Sequence, residues 1–355
     1  MKTFIRATGN ISPQKTFGPA TNKVELLNDL AIQSGNRLGC TEPDYLNYID
    51  VKFIRRMSRI IKMGTAAAME CLKEADTQNP DAIVMGTAYG CLEDTGTFLK
   101  KMEDQNEEML TPTAFIQSTH NTIGAQIALL LQCHGYNNTF VHRGLSFETA
   151  LLDAMMLLEE SVATTVLAGA ADEITDYSHA ILSRFGLYKN EIENNKHLYS
   201  AKTKGTIAGE GAAFFLLSNQ ASEKDYATLD AVYTFYKPVD ANEVKLQIEN
   251  FLSAQSITSA DIDLVIMGNN GDTKNDIVYS ESGKSIFRNN TTVNYKHYCG
   301  EYPTSTAFAL WLAAIIIKEV KMPEPAKPST QKIKKILIYN HYQNIHHSLM
   351  LVSAC

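Results

Sequence analysis

Short apolar runs alternate with longer amphipathic segments along this chain, and this alternation restricts the fold more than any other feature. Residues 82–86 and 164–169 are compact apolar runs typical of buried strands, and residues 139–142 are a further predicted strand. Residues 122–133 and 145–160 carry apolar side chains at helical spacing. Because strand, helix and strand joined by short connections form parallel neighbours, the first half predicts a parallel α/β core.

The second half of the chain repeats this organisation. A glycine-studded loop and an apolar strand occupy residues 205–217, and the polar residues 218–225 follow. Beyond them the pattern predicts strands at 229–236 and 264–268, helices at 241–253 and 308–318, a proline-rich surface loop at 322–331, and a closing strand pair at 335–339 and 348–353. We therefore expect two pseudo-equivalent halves, residues 1–220 and 221–355.

Composition and charge exclude several functional classes. The 355 residues include 39 acidic and 32 basic side chains, a formal charge of −7, which argues against nucleic acid as the main partner. No apolar run reaches the roughly 18 residues that span a bilayer, and the first residues lack the apolar core of a secretory signal. The six cysteines include no C-x-x-C pair, which favours a reducing compartment. We expect a cytoplasmic protein that binds neither nucleic acid nor membrane.

Five short motifs occur in one order along the chain. Residues 8–13 are similar to the pattern G-x-x-S-P, and residues 55–59 to R-R-M-D-R. Residues 86–95 are similar to G-T-G-x-G-x-x-x-x-T, residues 168–172 to A-G-G-A-E, and residues 205–213 to G-F-V-x-G-E-G-A-G. In this order and spacing the chain resembles the β-ketoacyl-[acyl carrier protein] synthases of the thiolase superfamily. The resemblance covers almost the whole chain. It implies an α/β fold, the thiolase-type five-layered αβαβα sandwich, with no cofactor.

The family's chemistry requires a cysteine nucleophile at the start of a helix, where the helix dipole lowers its pKa and backbone N–H groups hold the oxyanion. Counting back without gaps from the A-G-G-A-E motif places Gly144 at the position of that cysteine. Glycine has no side chain that can form an acyl intermediate. The resemblance therefore implies the fold without its nucleophile.

Two histidines normally stabilise the enolate that forms when the malonyl thioester loses CO2. The strand that precedes the first histidine leads here to Gly268, and the K-x-x-x-G-H motif that contains the second ends in Glu301. The glycine-rich F-G-F-G-G-x-N loop is replaced by residues 340–346, which contain no glycine. None of the family's three catalytic positions is kept.

Relocated catalytic groups are the alternative to lost ones. Ser146 lies at a strand-to-helix turn, but the missing second glycine of G-x-S-x-G favours a serine that caps the helix, and Glu148 suits the helix dipole without a catalytic role. Cys299, with His297 and Glu301 close in sequence, is a further candidate. Because nucleophiles of this fold come from the first half, we favour a core or pocket thiol.

Two clusters of charged or metal-binding residue types invite other hypotheses. His341, His346 and His347 suggest a metal, but adjacent histidines on a strand point to opposite faces, so a solvated or interface patch is favoured and no metal is expected. Lysines between 318 and 335 form either an ordinary solvated face or a docking patch for an acidic carrier protein; they are Lys318, Lys321, Lys327, Lys332, Lys334 and Lys335.

The missing catalytic residues imply a chain-length-factor-like subunit without catalysis of its own. Such a chain pairs with an active β-ketoacyl synthase in a type II fatty-acid or polyketide system and shapes the acyl tunnel. The alternative is an acyltransferase or 3-oxoacyl synthase with relocated groups, and a third hypothesis is a binding module for an acyl chain or carrier protein. Expected partners are acyl carrier protein and an active ketosynthase, or a second copy of this chain.

The resemblance also implies where a partner subunit binds. In this fold the strand before the nucleophile position, here residues 138–142, pairs with its counterpart across a two-fold axis. We predict that the acyl pocket or the subunit interface is formed by Phe140, His142, Arg143, Asn340 and His341.

Overall fold

The computed structural model describes residues 2–18, 23–108, 110–323 and 333–355. In these ranges the strands are β1 (Thr3–Ile11), β2 (Ala82–Gly86), β3 (Tyr136–Phe140), β4 (Thr165–Asp172), β5 (Gly211–Ser218), β6 (Ala227–Tyr236), β7 (Leu264–Met267), β8 (Thr291–Asn294), β9 (Lys335–Tyr342) and β10 (His346–Ser353). The α-helices are α1 (Lys23–Asn28), α2 (Val51–Ile54), α3 (Arg59–Ala75), α4 (Leu92–Asp104), α5 (Pro112–Gln117), α6 (Thr122–Leu131), α7 (Ser146–Glu159), α8 (Asp176–Arg184), α9 (Ala241–Ala254), α10 (Ile277–Ser285), α11 (Lys296–Cys299) and α12 (Thr306–Glu319).

The strands form one mixed sheet whose order repeats in its two halves. The order is β3-β2-β4-β5-β1-β6-β10-β9-β7-β8. Within the first half β2 runs parallel to β3 and β4, whereas β5 is antiparallel to β4 and β1. The second half has the same arrangement, with β6, β7, β8, β9 and β10 in the places of β1, β2, β3, β4 and β5. The predicted division at residues 218–225 falls between β5 and β6 and stays a prediction.

The molecule has five layers, in which three layers of helices alternate with the two halves of the sheet. Three large hydrophobic clusters hold these layers together. Helices α3 and α6 cover one face of the first half of the sheet, and α9 and α10 cover the outer face of the second half. Helices α7 and α12 lie between the two halves. Residues 306–317 of α12 are buried on every side, which explains a helix that is apolar all round. The predicted αβαβα sandwich is confirmed.

The element types predicted from periodicity agree with the structure, and the differences lie at the boundaries. The strand expected at residues 139–142 begins earlier and ends at Phe140, because the chain turns at His142 and Arg143 before α7. Most of the proline-rich loop expected at 322–331 lies outside the described residues. No helix in the described ranges is long and apolar enough to cross a membrane.

Close backbone packing fixes α3 against the sheet. Gly9 of β1 lies so near this helix that a Cβ atom would stand 2.0 Å from the carbonyl oxygen of Ala67 and 2.9 Å from the nitrogen of Cys71. Only glycine permits this approach, because both neighbouring atoms belong to backbone that cannot rotate away.

We expect Gly9→Ala to lower the free energy of unfolding by at least about 1–3 kcal/mol, since the added methyl group must push β1 and α3 apart. Gly96→Ala is the matched control, because Gly96 lies within α4 and a Cβ there meets no atom within 4 Å. That control should raise stability by about 0.5–1 kcal/mol. Urea unfolding of both variants measures the difference, and equal effects would contradict the close packing.

Candidate functional site

The turn between β3 and α7 is held by a buried serine. The Ser146 Oγ accepts a hydrogen bond from the His142 backbone N–H at 2.8 Å and donates to the Arg143 carbonyl at 2.9 Å. Its side chain is fully buried. Both contacts tie the serine to its own turn, which favours the capping interpretation over a nucleophile.

Gly144 follows in this turn and is covered by an aromatic ring. A Cβ atom at Gly144 would lie 2.5 Å from the Cβ and 3.0 Å from the Cδ1 of Tyr342, at the end of β9. Burial, together with the nearby Tyr89, raises the pKa of Tyr342 well above its ordinary value, so its hydroxyl stays protonated. The expected nucleophile position is therefore filled by a tyrosine packed against glycine.

Gly268, at the first histidine position, is enclosed by polar side chains. A Cβ atom there would lie 2.2 Å from the Asn340 Oδ1 and 2.6 Å from the Tyr279 hydroxyl oxygen. The same Asn340 oxygen accepts a hydrogen bond from the Tyr295 hydroxyl at 2.9 Å. No space remains for an imidazole. Asn340, predicted as a pocket residue, instead fills this position.

Glu301, at the second histidine position, forms a buried ion pair. The Lys296 Nζ donates to its Oε1 at 2.6 Å, and the Asn270 Nδ2 donates to its Oε2 at 2.7 Å. Lys296 is completely buried and also donates to the Ser305 Oγ at 2.8 Å. Both carboxylate oxygens of Glu301 are therefore already engaged by donors within the chain.

A cleft of about 420 Å³ reaches this centre from the surface. Tyr188, Asn270, Glu301 and Tyr342 are among the residues that line it, with Lys204 and Lys274 also in its wall. Because the Tyr342 ring packs on Gly144, it stands between the cleft and the nucleophile position. The sequence analysis did not identify Tyr188 or Tyr342. Tyr342 could have been identified, because it lies within residues 340–346, which replace the family's glycine-rich loop.

Cys299 does not form a pair with His297. The Cys299 thiol is buried and lies 3.3 Å from the Gly300 carbonyl oxygen, and burial raises the pKa of the thiol above its ordinary value. His297 instead contacts Tyr199, with 3.3 Å between the Nδ1 and the hydroxyl oxygen. Burial lowers the pKa of His297 to about 4. The thiol is held in its neutral, less nucleophilic form.

The C-terminal histidines differ from the solvated patch that the sequence favoured. His341 and His347 are buried, and burial lowers the pKa of His341 well below its ordinary value and that of His347 to about 4. His341 stacks on Tyr279, with ring centroids 4.4 Å apart. The reason is that helices cover both faces of β9 and β10, with α12 on one side and α9 and α10 on the other. In the described part of the chain, no three His, Cys, Asp or Glu side chains form a metal-binding group.

The predicted interface residues occupy two different environments. Phe140 is half-buried and packs against the central core, whereas His142 and Arg143 are exposed beside the end of β3. Asn340 and His341 lie in the buried centre.

The lysine patch is partly engaged within the chain itself. The Lys318 ammonium donates to the Asp225 carbonyl at 2.9 Å, and Lys321 pairs with Glu25. Lys327 and Lys332 lie outside the described residues. A docking role for this patch stays a prediction.

Glu148 is a buried carboxyl that sequence reasoning assigned only to the helix dipole. It lies in the first turn of α7 with no exposed surface. Burial raises its pKa to about 7, an effect that the Ser348 and Thr306 hydroxyls and the Lys296 ammonium partly offset. Lys296 therefore lies near two carboxyl groups but forms its ion pair with Glu301.

Comparisons with known proteins bear on the family and on the fold. Residues 39–184 match the sequence model of the β-ketoacyl synthase N-terminal domain, which confirms the resemblance carried by the motifs. No match is found among curated protein sequences. The fold of the ishigamide ketosynthase/chain length factor is similar, with a TM-score of 0.81 and 14% identity over 100% of this chain and 99% of the other.

Two further structures have the same fold. A β-ketoacyl synthase from Burkholderia phymatum gives a TM-score of 0.77 at 15% identity, over 100% of this chain and 99% of the other. A ketosynthase in complex with its chain length factor, from Xenorhabdus doucetiae, gives 0.74 at 15% identity, over 100% and 98%. At these identities the likeness establishes the fold alone.

We expect Glu148→Gln to stabilise the protein at alkaline pH. The unfolded pKa of a glutamate is about 4.3, below the folded value of about 7. The stability supplied by the protonated carboxyl is thus complete below about pH 4 and is lost as pH rises through 7. At pH 8.5 the variant should therefore exceed wild type by about 2–3 kcal/mol, and the gap should close near pH 5.

Urea unfolding at the two pH values measures this gap. The control is Glu160→Gln, since Glu160 is exposed at the end of the same helix and should show no pH-dependent difference. A gap of equal size at both pH values would contradict a buried, proton-binding Glu148.

Proposed function

We propose that this chain is a noncatalytic ketosynthase-like subunit, similar in role to a chain length factor. In this proposal it pairs with an active β-ketoacyl synthase of a type II fatty-acid or polyketide system and helps to shape the acyl tunnel. Acyl carrier protein then reaches the pair of subunits. The active ketosynthase supplies the nucleophile and both imidazoles.

The observation that carries the proposal is that all three catalytic positions are filled from within. Gly144 is covered by Tyr342, Gly268 by Asn340, and Glu301 is neutralised by Lys296. Condensation needs a thiolate to hold the acyl group and hydrogen-bond donors to stabilise an enolate. Neither a thiol nor an imidazole occupies those positions.

Relocated catalysis has less support. The Ser146 Oγ is bound to its own turn, the Cys299 thiol is buried and protonated, and Glu301 is held in an ion pair. In the described part of the chain, the Ser146 Oγ and the Cys299 thiol form hydrogen bonds with backbone groups and with no basic side chain. Nucleophilic catalysis requires such a base within hydrogen-bond reach.

A partner subunit has a free edge on which to bind. Within the described residues β3 pairs with β2 on one side and with no strand on the other. Tyr136 is 41% exposed and Val141 is 46% exposed along this edge. An open strand edge beside apolar side chains is an aggregation hazard unless another chain covers it. Two of the similar folds are ketosynthases described together with a chain length factor.

We expect no condensation of acyl and malonyl carrier-protein thioesters by the wild-type chain or by Gly144→Cys. The new Cβ would lie 2.5 Å from the Tyr342 Cβ, and no histidine would stabilise the enolate. The double variant Gly144→Cys with Tyr342→Gly removes the Tyr342 Cβ and ring, relieves the clash and should gain thiol alkylation or slow self-acylation without elongation.

Mass spectrometry of the carrier-protein products measures elongation, and an active ketosynthase assayed in parallel is the positive control. Elongation by wild type at a rate near that of the control would refute the noncatalytic role. Elongation by either cysteine variant alone would show that enolate stabilisation comes from groups other than the missing histidines.

We expect the chain to form a dimer, preferentially with an intact ketosynthase from the same organism when both are produced together. Val141→Asp should weaken this association at least about tenfold, because it places a charge on the exposed edge. Val162→Asp is the matched control, since Val162 is 64% exposed at the opposite end of α7. Size-exclusion chromatography with light scattering decides the outcome. A stable monomer in both conditions would refute the interface.

A further inference from the structure

Three residues project from the molecule at the end of the open β3 edge. Val141, His142 and Arg143 are all exposed, whereas Gly144 and the residues after it are buried. The projection is fixed in place, because the Ser146 Oγ bonds to the His142 nitrogen and the Arg143 carbonyl oxygen. The Arg143 side chain therefore points away from a rigid turn.

Arg143 has a backbone conformation that ordinarily favours glycine. Its φ is +48°, and it lies in the short turn that leads into α7. Among the described residues, most other non-glycine residues with positive φ follow the end of a helix: Asp76, Asn106, Glu107, Gln132, Ser161, Ser256 and Val320. Lys237, Gln343 and Asn344 lie, like Arg143, in a turn after a strand. Left-handed residues are routine at helix ends, but a long side chain at positive φ elsewhere is strained.

The His142 and His346 imidazole rings lie beside the Arg143 turn. The His142 and His346 rings lie 5.8 Å apart, and His142 and Arg143 both contribute, after burial, to lowering the pKa of His346. None of the ion pairs formed by the described residues includes Arg143. A basic projection is thus present on a chain whose formal charge is −7.

We infer that the turn is built to present the Arg143 guanidinium to a carboxylate of the ketosynthase subunit that covers the β3 edge. The inference rests on the proposed function and names a recognition residue within it. An unpaired cation beside an open strand edge fits an acidic group on the covering subunit, and an arginine binds a carboxylate through two parallel hydrogen bonds. The strained backbone conformation of Arg143 serves to direct its side chain across the open edge of β3.

Binding of four Arg143 variants to the intact ketosynthase from the same organism tests the inference. Arg143→Ala should weaken the complex at least about 30-fold, Arg143→Glu should weaken it further, and Arg143→Lys should lie between alanine and wild type because a lysine offers one point charge. Arg143→Gly should weaken binding as much as alanine yet raise the melting temperature of the isolated chain, since glycine relieves the strain. Arg288→Ala, at an exposed arginine in the other half of the chain, is the control.

The outcomes separate the inference from the function on which it rests. If wild type binds the ketosynthase and Arg143→Ala or Arg143→Glu binds equally well, the recognition role is overturned while the partner role stands. If wild type assembles only with a second copy of itself, and the Arg143 variants assemble equally well, the recognition role is also overturned. A wild-type chain that remains monomeric under every condition overturns both.

Discussion

The buried ion pair between Lys296 and Glu301 is the interaction on which the centre of this structure depends. Lys296 is fully buried, and an ammonium without a counter-charge in that position costs several kcal/mol. The Glu301 backbone also joins the two halves of the chain: its N–H donates to the Ile207 carbonyl, and its own carbonyl accepts from the Gly209 N–H. Glu301 therefore supplies the counter-charge through its carboxylate and the contact between the halves through its backbone.

The same ion pair determines what chemistry the centre can support. A glutamate bound by an ammonium and an amide is occupied, and an imidazole in its place would leave Lys296 without this counter-charge. Tyr342 and Asn340 fill the other two positions with equally specific contacts. The three expected catalytic positions therefore lie in a packed interior, where Glu301 and Asn340 are already hydrogen-bonded within the chain. This is why one substitution at Gly144 is not expected to restore a ketosynthase.

The edge of the sheet carries groups that have no partner within the described part of the chain. The β3 strand has no outer neighbour among the described residues, and Arg143 projects beside it from a left-handed turn. Groups that cost free energy in the isolated chain are explained most simply by contacts made in an assembly. If the chain is a noncatalytic subunit, as proposed, the surface that meets its partner is the functional part of the molecule.

The sequence by itself determined the element types and the family resemblance. Helical and strand periodicity depends on which faces are buried, so local spacing was enough to locate the strands, the apolar α12 and the repeated organisation of the two halves. Motif order was enough to predict that Gly144, Gly268 and Glu301 stand at the family's three catalytic positions. These features depend on residue type and on distances along the chain.

Only the tertiary structure decided what fills those positions. Tyr342 is nearly two hundred residues from Gly144, and Lys296 of α11 approaches Glu148 of α7, which is distant along the chain. The burial of His341 and His347 likewise follows from the helices that cover both faces of β9 and β10, which the residues around the histidines do not reveal. Contacts between distant segments and the burial they produce depend on sheet order and packing, and neither is encoded in local spacing.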